Sequence, residues 1–286
     1  MALSIIASFA GLSAEAGATF PGRNGEIALT GDRDILMVDP ESGRARSIAH
    51  FTDYPPSGYS WSPDGRELIY HRHWGIFITN PRGTETEVIE DYSGAHSPVF
   101  EADGDSFLFT KQGGDFFLYL YSWDRSTGES TPLAIAGSAS YPAVSPNGER
   151  MTYYLRTQDG YSLMLADPDG SDAEVLMEGV SGGSFSPDST SIVVAGSYRS
   201  KTYKEGELYI QKLDGSPPEL LKTSWKRNIW SAEFSPDGNQ ILYQRGRRLS
   251  MVPLDGGRER TIRVRSPLLR HGFYGETAWR PRPLKP

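Results

Sequence analysis

The segment Trp61-Ser62-Pro63-Asp64-Gly65 is the first clear copy of a pattern that recurs through the chain and decides its fold. Proline presets φ for a tight turn, and the Asp-Gly pair supplies a side-chain hydrogen bond and a residue that tolerates positive φ. An apolar strand follows the turn, here from Glu67 to Tyr70. Further copies, some of them degenerate, are Phe100-Glu101-Ala102-Asp103-Gly104, Val144-Ser145-Pro146-Asn147-Gly148, Phe185-Ser186-Pro187-Asp188, Phe234-Ser235-Pro236-Asp237-Gly238 and Trp279-Arg280-Pro281.

The spacing of these copies identifies the repeating unit. Measured between the third residues of successive copies, the steps are 39, 44, 41, 49 and 45 residues. A step also holds an alternating strand such as Gly75 to Thr79 and a short outer strand such as Thr86 to Ile89. A period of about 40 to 45 residues with about four strands is typical of a propeller blade. The sequence therefore predicts an all-β protein, a six-bladed β-propeller of four-stranded antiparallel blades.

The two ends of the repeat region complement each other. The segment from Asn24 to Ile48 has strands two to four of a blade, and Thr277 to Pro281 is a first strand without successors. Pairing them predicts a ring closed by the C-terminal strand joining the N-terminal blade, which removes exposed sheet edges. Residues 1–18 are a possible signal peptide or N-terminal tail. We predict a single propeller over 19–286, with blades at about 24–50 plus 275–282, 56–91, 95–136, 139–178, 181–222 and 229–265.

These motifs resemble the TolB-like, WD-repeat-like six-bladed propellers of bacteria, and the resemblance covers roughly Phe20 to Trp279. It implies a functionally mixed family that includes the periplasmic TolB protein, sensor and anchoring modules, propellers fused to peptidases, and polysaccharide lyases. TolB carries an α/β domain before its propeller, whereas the first blade strand here begins by Glu26. A true TolB role is therefore not expected. Nor is a fused peptidase, because the sequence has no Gly-x-Ser-x-Gly elbow.

Charge, cysteine content and the N-terminus narrow the class of protein. The net charge of -7 offers no basic field to nucleic acid, and the absence of Cys removes disulfides and thiolate chemistry. Met1 to Ala18 is small and apolar, and Ala14-Glu15-Ala16 resembles a leader-peptidase site, although no Lys or Arg precedes the apolar run. We expect an exported protein, periplasmic or extracellular, that is monomeric and has no membrane span.

One face of the predicted propeller is a candidate binding surface. The loops between strands two and three of a blade, and those between blades, emerge together around the central pore. Here they carry more basic than acidic residues, many aromatic residues and, on or beside them, all five histidines. Such a face suits a carboxylated or sugar-like ligand, although long polar loops are the plainer interpretation. The candidate ligand-binding residues are Tyr59, His71, Arg72, His73, Trp74, Trp230, Arg245, Tyr274 and Glu276.

Histidines and tyrosines at the pore mouth are the candidates for chemistry. His96 precedes an innermost strand, and Tyr59, Tyr141 and Glu276 are expected at matching positions in other blades. Such a ring could bind a small ligand or transfer protons, or form a hydrogen-bonded plug in the channel. The candidate catalytic residues are His96, Tyr141 and His271.

A metal site is the remaining chemical alternative. His71 and His73 project to one side of an extended strand, so they could share a divalent cation with His96 or His271. Two surface imidazoles without a metal are the commoner arrangement. No metal site or cofactor is therefore assigned, and a divalent cation stays open.

Two classes of function remain. The first, which we favour, is an exported binding module whose basic, aromatic pore face holds an anionic or sugar-like ligand, an oligosaccharide or small molecule, or an envelope protein. The second is an enzyme that uses the same face, a uronate polysaccharide lyase or a biosynthetic cyclase. A lyase would neutralise a uronate carboxylate with Arg and remove the adjacent proton with His or Tyr. Because fold alone does not decide between them, the arrangement of His71, His73, His96 and His271 is the discriminating feature. Histidines within hydrogen-bond reach of one another across the pore mouth would favour the enzyme, and histidines scattered over the rim would favour a binding surface.

Overall fold

The recurring Ser-Pro-Asp-Gly segment forms the turn between the first and second strands of a blade. In its first copy, Ser62 Oγ donates to Asp64 Oδ1 (2.8 Å) and accepts from the Glu67 N–H (3.0 Å). The Gly65 N–H closes the turn on Ser62 O at 2.8 Å. One serine hydroxyl thus stabilises the turn and satisfies the amide that leads into the next strand. The same pair of serine bonds recurs at Ser145, Ser186 and Ser235.

The computed structural model describes residues 19–72, 75–89, 94–158, 160–196, 202–204, 206–223, 229–246, 248–269 and 276–284. Within these ranges the regular elements are β-strands. The first eleven are β1 (Arg23–Thr30), β2 (Asp34–Val38), β3 (Ala45–His50), β4 (Ser57–Trp61), β5 (Leu68–Arg72), β6 (Gly75–Thr79), β7 (Glu85–Ile89), β8 (Ala95–Phe100), β9 (Ser106–Gln112), β10 (Leu118–Asp124) and β11 (Glu129–Pro132). The others are β12 (Ala139–Val144), β13 (Met151–Thr157), β14 (Gly160–Ala166), β15 (Glu174–Glu178), β16 (Val180–Phe185), β17 (Ser191–Gly196), β18 (Glu207–Lys212), β19 (Glu219–Thr223), β20 (Ile229–Phe234), β21 (Gln240–Arg245), β22 (Arg248–Pro253), β23 (Arg260–Ile262) and β24 (Thr277–Arg282).

The strands form six four-stranded antiparallel sheets, which are the blades of a propeller. The first blade has the order β24-β1-β2-β3, and the others follow as β4–β7, β8–β11, β12–β15, β16–β19 and β20–β23. In the first blade Ile27 pairs with Trp279 and Arg23 with Arg282, so the C-terminal strand completes the N-terminal blade. The predicted fold class and the predicted closure of the ring are both confirmed.

The hydrophobic core lies between neighbouring blades. One cluster joins Tyr59 and Trp61 of the second blade to Ile35 and Met37 of the first, and five similar clusters occur among the described residues. Trp61 also donates its indole N–H to Ala278 O across the blade boundary (3.0 Å). Because each sheet buries its faces only against its neighbours, a single blade has no core of its own. No helix in the described ranges is long and apolar enough to cross a membrane.

Candidate functional site

The innermost strands are irregular at the end where the chain enters each blade. Each of β4, β8, β12, β16 and β20 has a break in its pairing with the next strand of its blade. Every break contains a residue with positive φ three positions before the aromatic residue or valine of the repeat: Gly58 (66°), Ser97 (53°), Tyr141 (55°), Gly182 (76°) and Ser231 (42°). These bulges surround the channel mouth. They change the direction of the nearby side chains from the one that a regular strand would give them.

Side chains on or beside the preceding blade hold three of these bulges in place, those at Gly58, Ser97 and Tyr141. Gly58 N–H donates to Glu276 Oε2 at 2.5 Å, and Tyr141 N–H donates to Thr110 Oγ1 at 3.3 Å. Glu276 thus binds the backbone beside the mouth, close to its predicted position. Its carboxylate connects the entry to the closing strand β24 with the second blade.

His71 performs the same role for Ser97 and is thereby fixed in one tautomer. Its Nδ1 accepts from the Ser97 N–H at 3.4 Å, and its Nε2 lies 3.0 Å from Ser57 Oγ. Because an amide N–H only donates, Nδ1 carries no proton and Nε2–H donates to the serine. Burial, with a smaller contribution from nearby His96, lowers the pKa of His71 to about 3. The imidazole is therefore neutral at physiological pH.

His96 and Tyr141 continue this row around the channel. The His96 ring lies 6.1 Å from that of His71 and 5.9 Å from that of Tyr141, measured between centroids. Its Nδ1 is 2.9 Å from Ser97 Oγ, and burial lowers its pKa to about 4. His71, His96 and Tyr141, which we call the channel-mouth cluster, therefore combine two neutral imidazoles with a phenol ring. Such a cluster can donate and accept hydrogen bonds and stack against a flat apolar surface.

The cluster rests on a buried tyrosine in the fourth blade. Tyr154 meets Tyr141 edge-on, with 6.5 Å between ring centroids, and its hydroxyl donates to Gly182 O at 2.5 Å. Complete burial raises the pKa of the Tyr154 phenol, so it stays protonated. The row from His71 to Gly182 thus spans four consecutive blades.

The other end of the channel is crossed by the N-terminal part of the described chain. Thr19 Oγ1 lies 3.3 Å from Ser184 Oγ in the fifth blade, and the next residue, Phe20, packs in the cluster that contains Phe100 of the third blade. Two adjacent residues reach blades separated by the fourth blade only if they lie near the propeller axis. The channel-mouth cluster therefore opens toward one end of the channel.

The two described arginines among the predicted site residues already have partners. Arg72 Nη1 bonds both carboxylate oxygens of Asp53, at 2.9 and 3.2 Å, and its guanidinium lies over the rings of Phe51 and Phe77. Arg245 pairs with Glu259 at 3.0 Å, and Lys222 binds the other oxygen of the same carboxylate. Both arginines therefore stabilise contacts within the protein, which reduces the basic character predicted for this face.

The structure separates the remaining predicted residues. Tyr59 is 5% exposed, and its hydroxyl is 3.0 Å from Thr30 Oγ1, so it lies in the core between the first two blades instead of beside His96. Trp230 is on β20, but its side chain is outside the described part of the structure. Residues outside the described ranges include four more candidates: His73, Trp74, His271 and Tyr274.

The possibility of a divalent cation gains no support from the described residues. No group of three or more His, Cys, Asp or Glu side chains within those ranges is placed to hold a metal ion. Of the histidines proposed as ligands, only His71 and His96 are described, and both imidazoles are engaged by Ser97. The metal hypothesis for His71 and His73 stays a prediction.

Sequence reasoning missed the groups that position the cluster. Ser57, Ser97 and Thr110 are short polar residues without a motif, and their roles follow from bulges that no sequence pattern announced. One available signal was the uniform offset of Gly58, Ser97, Tyr141, Gly182 and Ser231, each of which stands three residues before the aromatic residue or valine of the repeat. Aligning the copies on that residue would have placed Ser97, and not His96, opposite Tyr141.

Comparisons with known proteins agree with this architecture. TolB from Acinetobacter baumannii superposes with a TM-score of 0.75 at 22% identity, covering 90% of this chain and 67% of that chain. A putative TolB from Agrobacterium tumefaciens gives 0.69 at 16% identity over 84% of this chain and 88% of that chain. A chain of a nidogen/laminin complex gives 0.72 at 10% identity over 91% of this chain and 99% of that chain. No protein-family model matches, and no curated protein matches.

The fold is thus that of a six-bladed β-propeller. More specifically, the fold is similar to that of the TolB structures, in agreement with the resemblance that the repeat motif indicated. At these identities the likeness establishes the fold alone.

Proposed function

We propose that this protein is a non-catalytic binding propeller that holds a sugar-like ligand, or a hydroxyl-rich part of a partner, at the channel-mouth cluster. The observation that carries the proposal is the row of His71, His96 and Tyr141 with both imidazoles neutral. A neutral imidazole offers hydrogen-bonding nitrogens without a net charge, and an aromatic ring offers a flat face. This is the combination that hydroxyl groups and sugar rings require.

The charges nearby favour a sugar-like ligand over an anionic one. Arg72 and Arg245, which would have attracted a carboxylate, are paired with Asp53 and Glu259. The lyase and cyclase alternatives are weakened for the same reason. Proton removal beside a uronate carboxylate needs a cation to stabilise the developing charge, and these two arginines are already committed.

A thermal-shift screen with calorimetric confirmation tests this proposal. Neutral oligosaccharides, uronate oligosaccharides and divalent cations would be compared, with and without a chelator. A ligand at about 100 times its Kd adds roughly 2.7 kcal/mol to the free energy of unfolding. We expect neutral oligosaccharides to raise the Tm of the wild type, and His96→Ala to abolish the shift while leaving folding intact.

His50→Ala is the matched control, because it removes another histidine from the same face. The His50 ring is 62% exposed and bonds Asp34 at 3.2 Å, away from the cluster. This variant should keep the wild-type shift. Uronate turnover that His96→Ala destroys would contradict a binding role and establish the lyase. The absence of a shift with every sugar would contradict a sugar-like ligand.

Export is a separate part of the proposal. It is supported by the apolar stretch from Met1 to Ala18 and by the resemblance to exported TolB-like propellers. Expression in a bacterium with a periplasm, followed by fractionation and intact-mass measurement, tests it. We expect the protein in the periplasm with its N-terminal segment removed near Ala16. A full-length chain confined to the cytoplasm would contradict export.

A further inference from the structure

A basic cavity lies on the opposite face of the propeller, which we call the turn face because it bears the Ser-Pro-Asp-Gly turns. The cavity has a volume of about 420 Å³ and is lined by Arg46, Asn80, Pro81, Arg82 and Arg280. Arg46 is on β3, residues 80–82 form the turn between β6 and β7, and Arg280 is on the closing strand β24. Three guanidinium groups from distant parts of the chain thus meet at the boundary of the first two blades.

One carboxylate is shared among the arginines of this boundary. Glu26 binds Arg46 through two hydrogen bonds, Nε to Oε1 at 3.0 Å and Nη2 to Oε2 at 2.8 Å. Oε2 of Glu26 is also 3.8 Å from Arg280 Nη1 and 4.0 Å from Arg282 Nη2. Arg82 adds a further guanidinium group at the cavity wall. The cavity therefore carries an excess of positive charge.

Arg280 is held rigidly in a position where its charge is poorly compensated. Its Nε donates to Gly65 O at 2.7 Å, and its guanidinium lies over the Trp61 ring at 5.4 Å from the centroid. Burial, and then repulsion from Arg282, lower the pKa of Arg280. Asp64 also acts on this charge, but its carboxylate is engaged by Ser62 and by the Arg66 side chain. An additional anion in the cavity would relieve this repulsion.

We propose that this cavity binds the phosphate group of a small phosphorylated molecule. Arg82 and Arg280 offer guanidinium N–H groups that match the oxygens of a phosphate. Arg46 is already bonded to Glu26 and to Pro81 O, so it contributes positive charge to the cavity, and a doubly charged group offsets the excess.

Asn80 Oδ1 accepts hydrogen bonds from the Arg82 and Thr84 amide N–H groups. The NH₂ group of Asn80 is therefore a further donor at the cavity wall. The volume lies in the range of small-molecule sites and has room for more than the phosphate. This site is independent of the channel-mouth cluster, because it lies on the other face.

Isothermal titration of the purified full chain with glucose 1-phosphate tests the assignment, with inorganic phosphate and glucose at equal ionic strength for comparison. Arg82→Gln is the decisive variant. The Arg82 side chain is exposed, and Asn80 holds the turn through the backbone, so the fold should persist. Arg258→Gln is the matched control, because Arg258 is an exposed arginine in the corresponding β22–β23 turn of the sixth blade. We expect Arg82→Gln to weaken binding about tenfold or more, and Arg258→Gln to change it less than about twofold.

Three outcomes would overturn the proposal. The first is the absence of binding by either phosphate compound. The second is an equal loss of affinity in Arg82→Gln and Arg258→Gln, which would mean attraction to the face as a whole. The third is equal affinity for phosphate and glucose 1-phosphate, which would exclude any contribution from the rest of the molecule. None of them bears on sugar binding at His96, so the two proposals fail separately.

Discussion

The channel-mouth histidines are neutral because they are buried, and a hydrogen bond to His71 also requires an unprotonated nitrogen. Nδ1 of His71 accepts a hydrogen bond from the Ser97 N–H, so protonating that nitrogen would set two donors against each other. His96 lies beside it with its ring 6.1 Å away, and a charge on either ring would disfavour a charge on the other. Residue chemistry here is therefore set by contacts between neighbouring blades. A direct consequence is a dependence of stability on pH.

Replacing His96 by Gln should reduce the loss of stability in mild acid. In the unfolded chain each of these histidines takes up a proton near pH 6.5, whereas in the folded protein His96 and His71 do so only near pH 4 and pH 3. Stability therefore falls as pH decreases from 6.5 to about 4, by about 1 kcal/mol per pH unit for each histidine. Between pH 7 and pH 5, urea unfolding should show the wild type losing about 1–2 kcal/mol more than His96→Gln.

Comparing the two proteins removes the contribution of Glu233. Burial raises the pKa of Glu233 to about 7, so this carboxyl stabilises the protein as pH falls, opposite to the histidines. Because it is present in both proteins, it cancels in the difference. His50→Gln serves as the control and should follow the wild type. If His96→Gln lost as much stability as the wild type between pH 7 and pH 5, His96 would not be held neutral in the folded protein.

Two turns that each begin with an aspartate and end with a glycine differ in how closely another blade approaches them. Each turn begins with an aspartate that accepts a hydrogen bond from a backbone amide. Asp39 accepts from the Ser42 N–H and Asp124 from the Ser126 N–H, both at 2.7 Å. Each turn ends in a glycine of positive φ, Gly43 at 68° and Gly128 at 71°. The surroundings differ. A Cβ at Gly43 would lie 2.2 Å from Arg263 O of the sixth blade, whereas a Cβ at Gly128 would meet nothing within 4 Å.

Alanine at these two glycines should separate backbone strain from contact between blades. Gly128→Ala should cost about 1 kcal/mol, because only the positive φ opposes it. Gly43→Ala should cost about 1–3 kcal/mol more, because the turn must also move away from the Arg263 carbonyl. Chemical denaturation of both variants against the wild type measures the difference. Equal losses would mean that the first and sixth blades separate at this point without cost.

The sequence predicts the ring better than it predicts the site, for physical reasons. The turn chemistry of Ser62 and Asp64 is local, so its repetition reveals the blades and the missing strand of the first blade. The channel-mouth cluster depends on bulges at Ser97 and Tyr141, two residues that rarely adopt positive φ. The partner of Arg72 is likewise not predictable from the sequence, because Asp53 is in the loop before β4, 19 residues earlier in the chain. Turns made by neighbouring residues could therefore be predicted from the sequence, whereas contacts between residues far apart in the chain could not.

Ring closure concentrates several contacts on the last strand. Trp279 is 3% exposed and packs with Ile27 and Leu29 of β1. Its indole N–H donates to Gly25 O at 3.1 Å, and its amide donates to Glu233 Oε2 of the sixth blade at 2.9 Å. The strand therefore completes the first blade and joins it to the sixth. Losing it would expose the edge of β1 and the core on both sides.

A chain truncated after Leu269 should fail to fold cooperatively, whereas a circular permutant should fold. The permutant begins at Glu276, continues through residue 286 and a flexible Gly-Ser linker of about 15 residues, resumes at Thr19 and ends at Leu269. It keeps the Ile27–Trp279 pairing and makes the first blade continuous in sequence. Circular dichroism melts should place its Tm within about 5 °C of a 19–286 chain, with no sharp transition for the truncated protein. A truncated chain that melted like the intact one would show that β24 is dispensable and that closure does not stabilise the ring.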